Sequence, residues 1–148
     1  MKKAMILGLL LLSVSALKAQ IMTPVKWAYG AKKGPAGTLT VFFKATIDDG
    51  WHIYSVNQKP GGPQKTVFKF TKSPDYLVLG KPVEPRPDSK FEEAFGIKVF
   101  YFSKAVTFQQ KLKLKKGETT VRGTLTYMAC TDKQCLAPEE LAFEIPVK

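Results

Sequence analysis

The chain has 148 residues, with 23 Lys or Arg against 12 Asp or Glu and a formal net charge of +11, a length that suits one domain with a sizeable core. A basic balance raises nucleic acid, an anionic membrane surface or an acidic protein as partners. Only Arg86 and Arg122 are arginine, however, and arginine is the residue best suited to phosphate and base recognition; the scattered lysines, clustered only at Lys32-Lys33 and Lys111 to Lys116, read as solvated surface, with no nucleic-acid partner.

Met1-Lys2-Lys3, the apolar run Ala4 to Val14 and the small and polar residues up to Gln20 have the layout of a secretory signal peptide. The run is too short for a bilayer, which takes roughly 20 apolar residues. Cleavage is expected after Ala19, leaving residues 20–148 as a single soluble domain, monomeric and exported to the periplasm of a cell with two membranes. No cysteine lies near that cut, which argues against a lipid anchor.

Period-two alternation with β-branched and aromatic residues then recurs along the chain. In order it predicts strands over Pro24 to Gly30, Thr38 to Ile47, Trp51 to Val56, Thr66 to Thr71, Tyr76 to Leu79, Val99 to Ser103, Val106 to Leu114, Thr119 to Met128 and Leu141 to Val147. Turn residues separate them at Asp48-Asp49-Gly50, Pro60 to Pro63, Ser73-Pro74-Asp75, Pro82 to Pro87 and Lys115 to Glu118. Lys59 to Gln64 reads as a loop, and Pro82 to Gly96 as a longer one of the kind that often carries function. No stretch holds a helical period. The fold class expected is all-β, an immunoglobulin-like antiparallel sandwich, without an inter-sheet disulfide because the two cysteines are only five positions apart.

Those cysteines, Cys130 and Cys135, enclose Thr-Asp-Lys-Gln just after a predicted strand. Two cysteines in an exported chain are normally bonded to each other, and a turn of this length brings the Cα atoms to the usual ~4.4–6.8 Å. A loop so short is worth only ~2 kcal/mol as a cross-link, and a bond in a turn leaves sulfur near solvent, where a thiolate attacks. Lys133 favours a thiolate there and Asp132 opposes it. Residue chemistry alone leaves two readings open, a redox pair or a structural staple. One histidine and two cysteines are too few ligands for a closed zinc site; a soft copper site with Met128 is a weaker reading, and neither metal nor cofactor is expected. His52 and the aromatic residues Trp51, Tyr54, Phe91, Phe95, Tyr101 and Tyr127 read first as packing residues. No phosphate loop, serine elbow or metalloprotease helix is present in the sequence.

Three segments taken together resemble a known family: Ile47-Asp48-Asp49-Gly50-Trp51-His52-Ile53-Tyr54, then Phe91-Glu92-Glu93-Ala94-Phe95-Gly96, then Leu125 to Cys130 running on to Cys135-Leu136-Ala137-Pro138. Their order and spacing are similar to those of the N-terminal periplasmic domain of the thiol-disulfide interchange protein DsbD, across nearly all of residues 20–148. The resemblance implies an immunoglobulin-like sandwich whose disulfide, here Cys130–Cys135, shuttles electrons from a membrane-embedded thiol-disulfide transporter or thioredoxin-like protein on a separate chain to oxidised exported proteins, a protein-disulfide reductase role of the sort that serves cytochrome c biogenesis. It also implies a loop with an aromatic tip over the disulfide. Aligning on Gly96 puts Ala94 at the usual phenylalanine, so Phe95 is the expected cap and Phe91 the second choice. His52 and Tyr54 match positions that line the site, and Glu93 matches an acidic residue that handles protons. The best-known members have one more residue between their cysteines, and their domain is fused to membrane and thioredoxin-like domains. The competing reading is a non-enzymatic immunoglobulin-like interaction domain whose disulfide only pins a turn.

Overall fold

A computed structural model describes residues 21–148; the expected signal peptide and its cleavage point lie outside the described residues. Within them alternation becomes antiparallel β-structure: β1 (Val25–Lys33), β2 (Thr38–Ile47), β3 (His52–Tyr54), β4 (Val67–Phe70), β5 (Tyr76–Val83), β6 (Asp88–Glu92), β7 (Ile97–Phe102), β8 (Ala105–Leu114), β9 (Thr119–Tyr127), β10 (Ala129–Cys130) and β11 (Glu139–Val147). The only helical element among the described residues is a 3₁₀ turn at Pro35–Gly37.

The strands form sheets ordered β1-β2-β8-β5, β10-β3-β7-β6 and β11-β9-β4. In β2 every second residue, Leu39, Val41, Phe43, Ala45 and Ile47, is buried, and β8 answers with Val106, Phe108 and Leu112. Opposite them stand Val121, Leu125 and Tyr127 of β9 and Phe143, Ile145 and Val147 of β11. Aromatic edges join the two layers: Phe43 meets Phe143 with ring centroids 4.9 Å apart and Phe68 at 4.4 Å, and Trp27 meets Tyr127 at 5.4 Å. This is the face-to-face packing of a sandwich. Gly123 permits the closest approach, since a Cβ there would lie 2.0 Å from the Lys69 carbonyl oxygen and 2.6 Å from the Phe143 ring.

The third sheet grows out of one end of this sandwich. Only Met128 separates β9 from β10, and the inward residues Ile53, Phe102 and Ala129 belong to the same core, with the Phe102 ring edge-on to Phe108 at 5.7 Å.

The stretch Pro82 to Gly96, expected to be one long loop, is corrected. β5 runs on through Pro82 to Val83 across a bulge after Leu79, which an edge strand tolerates because the proline owes no ladder hydrogen bond on the open side. Gln110, 1% exposed, fills the bulge by donating to the Leu79 carbonyl at 2.8 Å. Asp88–Glu92 then forms β6, an edge strand too polar to show apolar alternation. The loop at Lys59 to Gln64 is as expected, and buried Gln58 at its root accepts the Phe100 amide at 2.8 Å.

Candidate functional site

Cys130 ends β10, at the open edge of the β10-β3-β7-β6 sheet. The chain then reverses through Thr131–Gln134, so that Cys130 and Cys135 are antiparallel partners. The flanking hydrogen bonds, Thr131 N–H to the Gln134 carbonyl at 2.7 Å and Leu136 N–H to the Ala129 carbonyl at 2.9 Å, make them a non-hydrogen-bonded pair, the register in which facing side chains come closest. Their Cα atoms are 4.0 Å apart and the sulfurs are bonded. The approach is closer than an open turn would give because the segment is a true hairpin. The Thr131 hydroxyl holds its tip, accepting the amides of Lys133 at 3.2 Å and Gln134 at 3.1 Å. No free cysteine exists among the described residues.

The two sulfurs have unlike surroundings. Cys130 is 1% exposed and packs with Tyr54 and Val99, flanked by Ile97, Tyr101 and Met128; Cys135 is exposed. Alternation explains the enclosure. Ile53 and Phe102 point into the sandwich core, so their neighbours His52, Tyr54 and Tyr101 point to the opposite face of the sheet, where the register sets Cys130 directly beside His52. The His52 ring meets Tyr54 at 5.3 Å and Tyr101 at 5.2 Å, and His52 Nε2 and the Tyr54 hydroxyl share a hydrogen bond of 3.0 Å. On the same face a Cβ on Gly62 would lie 2.5 Å from Ile97 Cδ1, so glycine lets the Lys59 to Gln64 loop close against Ile97, which packs on the cluster that holds Cys130.

A charge cluster covers the same face. The Lys90 ammonium lies 2.9 Å from Asp132, in the cysteine hairpin, and 3.3 Å from Glu92, and sits 5.5 Å from the centre of the Tyr101 ring. Lys90 thus ties β6 to the hairpin that carries the disulfide. The hydrogen bond to Asp132 raises the Lys90 pKa, and Lys90 in turn lowers that of Asp132. Burial, reinforced by the Lys90 charge, lowers the His52 pKa and keeps the imidazole neutral at neutral pH. Burial and the Glu92 charge push the Tyr54 hydroxyl up to about 12, so it too is uncharged. A cleft of about 250 Å³ opens beside His52 between Asp48, Asp49, Lys104 and the Lys90–Asp132 pair.

The structure therefore brings Cys130, Cys135, His52 and Tyr54 together. It sets the remaining sequence-stated residues differently. Phe95 is at the tip of the β6–β7 hairpin, in the turn that Gly96 closes with a φ of +65° and an N–H bonded to the Glu92 carbonyl at 2.9 Å; its ring is 37% exposed. Phe91 is 64% exposed and alternates to the side of β6 opposite Lys90 and Glu92, away from the disulfide face. Glu93 is exposed in the turn, whereas the carboxylate on the disulfide face is that of Glu92. Tyr101, read in the sequence as packing, is a wall of the site. Sequence reasoning missed Lys90 and Glu92, and placed Asp132 beside the cysteines without its contact to Lys90. Their one signal in the sequence is the alternate spacing of Lys90 and Glu92, which a loop reading of Pro82 to Gly96 hides. Among the described residues no group of His, Cys, Asp and Glu is arranged to hold a metal ion.

The sequence profile described as thiol:disulfide interchange protein DsbD, N-terminal, matches residues 18–146. No curated protein matches the chain. Among solved structures, the N-terminal periplasmic domain of ScsB from Proteus mirabilis superposes with a TM-score of 0.63 at 19% identity, over 86% of this chain and 48% of that one. The reduced DsbD N-terminal domain of Neisseria meningitidis gives 0.57 at 22% identity, over 81% and 84%. The complex between the DsbD and PilB N-terminal domains of the same organism gives 0.55 at 18% identity, over 84% and 87%. This chain spans about half the length of the ScsB structure. At such identities the likeness is one of fold, an immunoglobulin-like sandwich.

Proposed function

The chain belongs to the family of the DsbD N-terminal domain, and from that premise we propose that its Cys130–Cys135 pair carries electrons by thiol-disulfide exchange outside the cytoplasm, accepting them from a thioredoxin-like or membrane-embedded dithiol on a separate chain and passing them to oxidised exported proteins. The observation that carries the proposal is the asymmetry of the pair: one sulfur enclosed, its partner at the surface of an edge hairpin. Exchange passes through a mixed disulfide and needs one reachable sulfur and one resolving sulfur.

In the accepting step a donor thiolate attacks Sγ of Cys135. A Cys135–donor disulfide forms, the Cys130–Cys135 bond breaks, and Cys130 leaves as a thiolate that takes up a proton. The donor's second thiolate then attacks the donor sulfur of the mixed disulfide, closing the donor disulfide and releasing Cys135 as a thiolate that takes up the second proton. Two electrons and two protons have moved to this pair. In the delivering step Cys135 attacks the disulfide of the oxidised protein and Cys130 resolves the intermediate. Tyr54, Val99 and Tyr101 wall in Cys130, so an incoming thiolate meets Cys135 first. Neutral His52 and Tyr54 add no charge of their own beside the Cys130 sulfur, and Lys90 fixes the hairpin through Asp132. The DsbD domain solved with a PilB domain supports a protein as redox partner, and the ScsB domain described as periplasmic supports the periplasm as its compartment.

The test is reduction under native conditions. A catalytic amount of a reduced thioredoxin-like protein, regenerated by its reductase, should open the Cys130–Cys135 bond with no change in far-ultraviolet dichroism, as read by thiol alkylation. A bond that yields only after denaturant is added marks a structural staple and overturns the proposal.

A further inference from the structure

The lysines that look scattered in the sequence are sorted by the fold. The strands of the β1-β2-β8-β5 sheet contain no Asp or Glu at any position. Because β1, β2 and β8 bury one side, their alternate residues share the outer face, which carries Lys26, Lys32, Lys44, Lys111 and Lys113. Neighbouring strands lie ~4.8 Å apart, so these ammonium groups repel one another across a single surface with no carboxylate of their own sheet to offset them. The outer face of the β11-β9-β4 sheet is the contrast: Lys69 and Arg122 there are balanced by Glu140 and Glu144, with Arg122 bonded to Glu144 at 3.0 Å.

The basic face is also apolar in one strip. The register pairs Leu77 with Lys113 and Leu79 with Lys111 on the same outer side, and these leucines are 53% and 37% exposed, with Val83 at 60%. Leu77, Leu79 and Val83 run along β5, the open edge of the sheet, and Phe42, half-exposed on the same side, lies two strands further in on β2. Lysine without arginine is a poor phosphate-reading set for nucleic acid, and exposed leucine and valine beside it add nothing to nucleic-acid binding. Lysines around a strip of exposed aliphatic side chains match an anionic bilayer, where ammonium groups meet the headgroups and apolar side chains enter the interface.

We infer that the outer face of the β1-β2-β8-β5 sheet is a docking surface for an anionic phospholipid membrane. The charge and the apolar strip point to this independently of any redox role. The disulfide hairpin lies in a different sheet, so lipid docking leaves Cys135 open. Held this way, the exported protein diffuses over a membrane surface and meets membrane-held partners in two dimensions.

The probe is vesicle binding by the mature protein, purified after export from expressing cells, using phosphatidylcholine vesicles with and without about a third phosphatidylglycerol. Wild-type protein should co-sediment with the anionic vesicles only and release as salt rises, since the attraction falls off within a Debye length. Each surface lysine contributes roughly fivefold to such binding, so the triple variant Lys32→Gln/Lys44→Gln/Lys111→Gln should lose about a hundredfold. The charge-matched control Lys69→Gln/Lys98→Gln/Arg122→Gln, in β4, β7 and β9 of the other two sheets, should change by no more than a few-fold. Leu77→Ser/Leu79→Ser should weaken binding severalfold at unchanged charge. Dichroism and thiol titration confirm that each variant is folded. Absence of binding to anionic vesicles at low salt, equal losses in the two triple variants, or no effect of the leucine pair would each overturn the inference.

Discussion

Excess dithiothreitol added to the folded protein opens a bond between residues only 5 positions apart, and chain entropy values such a short closure at ~2 kcal/mol. The structure supplies no reason for the cost to exceed that. The hairpin keeps its Thr131–Gln134 and Ala129–Leu136 backbone hydrogen bonds, and Cys130 remains a small buried side chain against Tyr54 and Val99. The main core, Phe43, Phe108, Phe143, Leu39, Leu112 and Leu125, is built from other strands. Truncating one such phenylalanine costs ~3–5 kcal/mol, more than the whole disulfide. With a urea slope of roughly 2 kcal/mol/M, reduction should lower the unfolding midpoint by about 1 M and leave the transition cooperative. Parallel urea titrations of oxidised and reduced protein, followed by tryptophan fluorescence, measure the shift. Reduced protein that is unfolded in buffer, or a midpoint lowered by more than about 2 M, would refute this reasoning and make the bond a staple.

Other expectations concern single side chains. Because the folded state lowers the His52 pKa, the unfolded chain binds the proton more readily, so stability is full above about 6.5 and falls as pH drops below it; His52→Gln should flatten that loss in urea titrations at pH 7 and pH 5, and an unchanged slope would remove His52 as its source. Phe95→Ala should speed alkylation of the reduced pair if the ring screens it, at a stability cost well below the ~3–5 kcal/mol of a core phenylalanine, because the ring is 37% exposed; an unchanged alkylation rate with a core-sized loss would make Phe95 a packing residue. Gly123→Ala should destabilise by ~3 kcal/mol or more, since its methyl would fall 2.0 Å from a backbone oxygen that cannot step aside; thermal unfolding within a degree or two of wild type would contradict the close approach of β4, β9 and β11.

Strands with one buried face were legible in the sequence. β2 spans Thr38–Ile47, the limits its alternation sets, and β8 and β9 start or end within a residue of expectation. β6 was not legible, because an edge strand with both faces largely wet needs no apolar alternation, and its Asp-Ser-Lys start resembles a turn. Pro82 likewise read as a breaker, although an edge strand with a bulge accommodates it. At the site, Cys130 and Cys135 stood out through chemistry and spacing, and His52 and Tyr54 through family likeness. The Lys90–Asp132 contact joins residues 42 positions apart, a pairing that only sheet register creates. The step from Glu93 to Glu92 follows from where β6 ends: Glu92 is its last residue, on the Lys90 side, and Glu93 already belongs to the exposed turn. The lysine face was illegible because strands far apart in sequence had to be laid side by side before their charges formed one surface.

The most direct measurement is trapping of the mixed disulfide. Cys130→Ser leaves the exposed Cys135 without its resolving partner, and Cys135→Ser leaves only a sulfur that is 1% exposed in the native fold. Each variant, as the free thiol, is incubated with a thioredoxin-like protein whose resolving cysteine is replaced by serine and whose remaining cysteine carries a thionitrobenzoate leaving group, quenched with alkylating agent and resolved on a non-reducing gel. Exchange through Cys135 predicts a covalent complex that accumulates with Cys130→Ser and is scarce with Cys135→Ser. Equal trapping by both variants would contradict the assignment of roles, and no complex with either would contradict exchange at this pair.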